Sequence, residues 1–309
     1  MIDVTLLGCG ALLPLPERAL TSVLLTYAGH SILFDCGEGT QTAARRAGVS
    51  LMKTDLIALT HYHGDHIFGL PGLLQSMGTM NRTEPLYITG PGDAEKELEA
   101  LFRMTGYLPF PIRFLKIGAE GLDYGSIAGE RCSGAYLIPF STEHRTPSRG
   151  YRFCLKRPGK FHPERARALG VPVECWGTLQ KGTPVSLGDR TVQPCEVLGE
   201  ERRGLTFVFS GDTEPCDGLL TAAKDADLFI CEATYGENGQ AQIAHEHGHM
   251  TFAQAGEIAQ KAGVRRLWTA HYSQMITDPR NYIENARAYF PAAECGTDGK
   301  TVTMIFEEK

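Results

Sequence analysis

The sequence predicts an α/β protein organised around β-sheet, and three observations carry that expectation. Short apolar runs rich in β-branched residues recur along the whole chain: VTLL, SVLLTY, SILFD, LIALT, PLYIT, AYLIPF, LTFVFS, DLFICEAT, RRLWTA and VTMIF. Helical periodicity stands between several of them. The first strand runs through LLGCGALLP into prolines with no GxGxxG turn, which argues against a dinucleotide-binding opening.

Taken in order, the first third reads as paired strands, because two neighbouring strand runs precede any helical pattern. A first helix begins near Gly39 and ends by Gly48. The clearest helix is Phe252 to Ala262, where Phe252, Ala255, Ile258, Ala259 and Ala262 share one face and Gly263 supplies a stop. Residues Lys156 to Arg203 differ from their flanks in being rich in Pro, Gly, Lys and Arg, with a short helix from about Pro163 to Leu169. They read as an insertion, and composition alone favours a solvated surface excursion. A length of 309 residues leaves open one large layered domain or two smaller ones.

Hydrophobic residues make up 42% of the chain and charged residues 21%, which suits a globular protein with a substantial core. The amino terminus has no basic leader region, and no apolar run reaches the roughly 18 residues of a membrane span. The expectation is a cytoplasmic protein. Nine cysteines, an odd number without a CxxC pair, fit free buried thiols in a reducing compartment. A net charge of -6 excludes the whole molecule as an electrostatic trap for nucleic acid, so any polyanion has to be met by a local basic patch or by metal.

The segment THYHGDH supplies His61, His63, Asp65 and His66 directly after the strand LIALT. Histidine nitrogens and carboxylate oxygens are zinc ligands, and four such groups in six positions are hard to explain as ordinary surface residues. His61 and His63, two apart, can point the same way, and Gly64 is expected to turn the chain so that Asp65 and His66 face them. His144, Asp212 and His271 each follow the end of an apolar strand, where sheet proteins assemble sites from convergent loops. Five histidines and two aspartates are enough for two metals. The expected division places His61, His63 and His144 on one ion and Asp65, His66 and His271 on the other, with Asp212 bridging. A cation pair of this kind acidifies a shared water, which is hydrolytic chemistry. His30 and His162 lack this context.

The order of these residues resembles the metallo-β-lactamase fold, and within it the chain is similar to the short form of the ribonuclease Z family of tRNA 3′-processing endonucleases. The marks are DCGEGTQ (Asp35 to Gln41), THYHGDHIFGLPGLL (Thr60 to Leu74), HRTPSRGYRF (His144 to Phe153), FSGDT (Phe209 to Thr213), CEATY (Cys231 to Tyr235) and HMTFAQA (His249 to Ala255). The resemblance implies one four-layer αβ/βα sandwich over residues 1–309, two zinc ions per subunit with manganese or cobalt as other suitable metals, and a homodimer. It also implies a projecting basic arm at about 156–182 that grips precursor tRNA while the other subunit cuts. Lys156, Arg157, Lys160, Arg165, Arg167 and Lys181 would then meet phosphates. The chain departs from the family pattern twice. The arm reads VPVECWG without a Gly-Pro turn, and PLPERA (Pro14 to Ala19) keeps only Pro14 and Arg18 of a PxKxRN loop that bears on the cut position.

The implied reaction is release of a 3′ trailer by phosphodiester hydrolysis, leaving a tRNA 3′-hydroxyl. The resemblance assigns Asp65 as proton acceptor from the attacking water. His249, oriented by Glu232, is the expected proton donor to the leaving oxygen, with His245 and His247 poorer candidates and Arg145 and Arg149 as further phosphate contacts. An alternative keeps fold and metals but acts on a small ester, lactone or cyclic nucleotide, for which no basic arm is needed. A non-enzymatic relative would have lost ligands, and all seven are present.

Overall fold

The computed structural model describes residues 1–307, which fold around two seven-stranded mixed sheets. The first sheet runs Lys300–Met304, Ile2–Gly8, Ser22–Tyr27, His30–Phe34, Thr54–Ala58, Leu86–Thr89 and Ile112–Phe114 from edge to edge. The second runs Ala293–Cys295, Leu267–Ala270, Leu228–Glu232, Arg202–Phe209, Arg149–Arg157, Ala135–Ser141 and Leu122–Asp123. The amino-terminal strands pair antiparallel as expected, and His30–Phe34 then starts a parallel half. The second sheet has the same division, antiparallel around Arg149–Arg157 and parallel from Arg202–Phe209 through Leu228–Glu232 to Leu267–Ala270.

Strand alternation sorts the side chains into layers. Ile32, Phe34, Leu56 and Ala58 belong to the core between the sheets, whereas the intervening Leu33, Ile57 and Leu59 pack outward with Leu70, Leu73, Leu74 and Met77 of helix Leu70–Thr79. Burial on both faces is why these strands read as continuous apolar runs. Between the sheets, Phe34 lies 5.8 Å from the Tyr151 ring, 5.4 Å from Phe207 and 6.0 Å from Phe209. Truncating an aromatic ring in such a core costs about 3–5 kcal/mol.

Helix Phe252–Ala262 forms over its predicted span. Thr251 and Gln254 make a capping box at its start, and Gly263 ends it at φ 65°. The predicted first helix is Thr40–Arg46, with Gly39 at its amino-terminal cap. All nine cysteines are free thiols, and among the described residues no helix is long and apolar enough to cross a membrane.

The insertion lies between Arg149–Arg157 and Arg202–Phe209, which are paired with Arg157 opposite Arg202. It has a small core of its own: Ala166, Val171, Leu179, Val185, Val192 and Val197, with Phe161 and Trp176 packed against them. The helical segment is Pro163–Ala168. The insertion core continues beyond Gly182, through the hairpin Val185–Leu187 and Arg190–Val192, to Val197. Of the expected phosphate contacts, Lys156 and Arg157 end the sheet strand, with Lys156 over Tyr136 and Arg157 over Phe306. Lys160, Arg165, Arg167 and Lys181 are exposed on the insertion proper.

Candidate metal centre

The parallel strands of both sheets end at a common edge, and the seven candidate ligands emerge there. After Thr54–Ala58 the chain reaches His61, buried, and His63, exposed, which precedes the one-turn helix Gly64–Ile67. Gly64 begins that helix, at the turn from the extended His63 that brings Asp65 and His66 back toward His61, and a Cβ there would stand 2.3 Å from the exposed Phe68 ring. Gly211, by contrast, has φ +60° and lies against Thr60, where a Cβ would be 2.7 Å away. That approach seats Asp212 against His61. The Arg149 amide donates to the Thr60 carbonyl at 2.9 Å and the Tyr151 hydroxyl to Leu59 O at 2.7 Å, joining the sheets behind the site.

The structure brings together all seven residues. His61, His63, His144 and Asp212 form one donor group, and Asp65, His66 and His271 another. Asp212 lies between them: its Oδ2 is 3.6 Å from His61 Nε2 and 3.3 Å from His66 Nε2, and its Oδ1 is 3.2 Å from His271 Nε2. His61 Nε2 stands 2.9 Å from His63 Nδ1, and His66 Nε2 stands 3.3 Å from His271 Nε2. Asp212 Oδ1 is buried and accepts no hydrogen bond. So many inward-facing lone pairs with so few protons between them are the arrangement a cation satisfies, and the donor set suits divalent metal.

Four of the five histidines are held from behind by their Nδ1 atoms. His66 Nδ1 meets Asp35 Oδ2 at 2.7 Å, His144 Nδ1 the Gly248 carbonyl at 2.7 Å, His271 Nδ1 Thr234 Oγ1 at 2.9 Å and His61 Nδ1 Thr60 Oγ1 at 3.1 Å. Such contacts fix the ring and leave Nε2 for a metal. Asp35 is the residue that sequence reasoning missed. It is fully buried and also accepts from the Thr60 amide at 2.7 Å and the Thr60 hydroxyl at 2.8 Å, so it braces both His66 and the strand end. The sequence showed it only as the aspartate that closes SILFD and opens DCGEGTQ, with no role attached. Asp35 and His271 both occupy the left-handed region, at φ 55° and 56°, a strain of about 1–3 kcal/mol each carried at the site.

The electrostatics are those of a polarised cluster. Burial and the neighbouring His66 hold His61 well below the ordinary imidazole range. Burial opposes a charge on His66, yet the Asp212 and Asp35 carboxylates outweigh it and raise the group well above that range. Asp212 itself is buried but is held well below the carboxylate range by His271, His66 and His61. Loading metal therefore means expelling protons from the cluster.

A model of the metallo-beta-lactamase superfamily matches residues 15–144, and one of the beta-lactamase superfamily domain matches residues 163–272. The chain is 40% identical over 309 residues to the ribonuclease Z of Lachnospira eligens, covering 100% of both chains. It is 41% identical over 308 residues to that of Alkaliphilus oremlandii, covering 97% of each. The chain belongs to the ribonuclease Z family. Its function is that of a ribonuclease Z, a metal-dependent phosphodiesterase and tRNA 3′-processing endonuclease. The fold also matches the crystal structure of human tRNase Z, short form, at TM-score 0.68 and 24% identity, over 98% of this chain and 100% of that one.

Beside the metal ligands, this ribonuclease Z family member places Glu232 at the end of strand Leu228–Glu232, buried. The carboxylate accepts from the Thr213 amide at 2.7 Å, the Thr234 hydroxyl at 2.7 Å, the Met250 amide at 3.1 Å and His249 Nδ1 at 2.9 Å. One ring nitrogen of His249 falls within 4.8 Å of donor atoms of Asp212 and His271. Burial disfavours its charge, but Glu232 reverses this and raises His249 to about 9. His245 and His247 are turned to other partners, Glu214 and the Tyr235 hydroxyl. A cavity of about 720 Å³ opens beside His144, walled by Arg145, Arg149 and Glu214, and Arg149 Nη1 is buried there without a hydrogen-bond partner. The loop Pro14 to Ala19 reaches the other flank, where the buried Arg18 lies 5.3 Å over the Tyr272 ring, next to His271.

Proposed function

We propose that the chain holds two zinc ions per subunit and releases the 3′ trailer of precursor tRNA, leaving a tRNA 3′-hydroxyl. The observation that carries this reading is the arrangement of donors around the Asp212 carboxylate, with His61, His63 and His144 in one group and Asp65, His66 and His271 in another, while His249 shares a third with Asp212 and His271. His61, His63 and His144 would hold one ion, Asp65, His66 and His271 the other, with Asp212 shared; manganese or cobalt would suit the same donors. When bound, such a pair supplies hydroxide near neutral pH and neutralises charge on the phosphoryl oxygens.

The chain's own groups do the rest. Asp65 Oδ2 is fixed by the Leu12 amide at 2.8 Å and stands 3.4 Å from His271 Nε2, which places it to take the proton of the attacking water. His249, its Nδ1 held by Glu232, donates the proton that the departing 3′ oxygen requires. Arg145 and Arg149, which line the cavity beside His144, position a phosphate there. The insertion grips the tRNA body in a homodimer whose other subunit cuts. Free thiols and a tRNA substrate support a cytoplasmic setting for the reaction.

Comparing substrates tests the function directly. We expect kcat/KM for a trailer-bearing precursor to exceed that for a cyclic nucleotide or a lactone by a factor of about 10³ or more, a span well inside enzymatic discrimination. A preference for either small molecule would contradict the proposal.

The donor role has a pH signature. A proton donor works while protonated, so activity should fall as pH rises through the His249 value of about 9. Glu232→Gln removes the charge that raises it. The alkaline limb of the kcat profile should move to lower pH, with kcat itself reduced about 10- to 100-fold. An unmoved limb would exclude His249 as the donor.

A further inference from the structure

At the far end of the second sheet from the metals, a groove of about 490 Å³ is lined by Arg157, Lys160, Arg202, Arg203 and Arg265, with Glu307 as the one carboxylate of the lining among the described residues. Five cations here stand out in a chain of net charge -6. Two are already engaged: Arg203 Nη1 donates to Asp227 Oδ1 at 2.6 Å, and Arg265 pairs with Glu307. Among the described residues Arg157, Lys160 and Arg202 form no ion pair. Arg157 and Arg202 are also direct cross-strand partners, and like charges in that position repel. One nitrogen of each guanidinium is spent on a carbonyl, Arg157 Nη1 on Glu307 O at 2.6 Å and Arg202 Nε on Pro158 O at 2.9 Å. The remaining fork of each is left for an anion.

We propose that this groove is a second RNA-backbone site, which takes phosphates of the precursor tRNA. Two features favour phosphate over a protein surface. Four of the lining side chains are guanidinium groups, which match phosphate geometry in bidentate fashion. Among the described residues Leu205 is the only apolar side chain of the lining, whereas a protein partner needs an apolar anchor. The groove sits at the root of the insertion, where Arg149–Arg157 and Arg202–Phe209 meet it. Strand rise puts it about 25 Å from the metal edge. A grip at this end, with a second subunit's metals at the cut, extends the RNA surface of the insertion onto the sandwich. The inference rests on precursor tRNA being the substrate.

The test is binding of a trailer-bearing precursor to the full-length protein, in chelator to prevent cleavage, over a range of salt concentrations. Arg202→Gln is expected to weaken binding about five- to tenfold and to lower the slope of log affinity against log salt by about one, the loss of one phosphate contact. Arg202→Lys should restore the slope, and an unchanged thermal melt shows that the variant is folded. Wild-type affinity and slope in folded Arg202→Gln would overturn the groove assignment, including in favour of a protein partner there. Absence of precursor binding by the wild-type protein would instead overturn the substrate reading beneath it.

Discussion

Asp65→Ala is expected to abolish trailer release, with kcat lowered by about 10³-fold or more, while precursor affinity stays within about twofold. The size of the effect follows from the two roles proposed for one carboxylate, as part of a metal donor group and as acceptor of the attacking water's proton, each worth orders of magnitude alone. Binding is expected to survive because the proposed RNA surfaces, in the insertion, its root and the cavity beside His144, do not include Asp65. Single-turnover cleavage and equilibrium binding measured on the same preparation separate the two. Wild-type cleavage in the variant would remove Asp65 from the mechanism.

Removing the insertion should do the reverse. A deletion from Lys160 to Gln180 takes out Ala166, Val171 and Leu179 but strands Val185, Val192 and Val197, the other half of the same small core. A cleaner variant replaces residues 161–198 by a short Gly-Ser link, because the Gly199 amide already bonds to the Lys160 carbonyl at 2.8 Å. Precursor binding is expected to weaken by about 10²-fold, in keeping with the loss of several phosphate contacts. Hydrolysis of a small phosphodiester such as bis-p-nitrophenyl phosphate should fall far less. Parallel losses on both substrates would sink the gripping role.

Much of this architecture is legible in the sequence, for a physical reason. Strands such as Thr54–Ala58 and Leu228–Glu232 are buried on both faces and therefore show unbroken apolar runs. The ligands are legible because metal chemistry needs His and Asp just past such strands. Arg149–Arg157 escapes that reading although it is the longest strand. Tyr151, Phe153 and Leu155 face the core while Arg152, Cys154 and Lys156 face away, so the run is alternating rather than apolar. Helix Leu70–Thr79 carries a proline and two glycines, which weaken its helical signal, yet Pro71 occupies the first turn, where its missing N–H costs nothing. Asp35 was hidden for another reason: its work is done on His66, 31 positions away. The basic groove is hidden more deeply, since Arg157, Arg202 and Arg265 become neighbours only when two strands pair and a third element closes over them.

The most direct measurement is to map both ends produced from a trailer-bearing precursor, with and without chelator. Hydrolysis with the 3′ oxygen as leaving group, assisted by divalent metal and a proton from His249, predicts a 3′-hydroxyl on the tRNA and a 5′-phosphate on the trailer. Chelator should abolish the cut, and added zinc or manganese should restore it. A 2′,3′-cyclic phosphate at the new end, or cleavage that persists in chelator, would contradict the account.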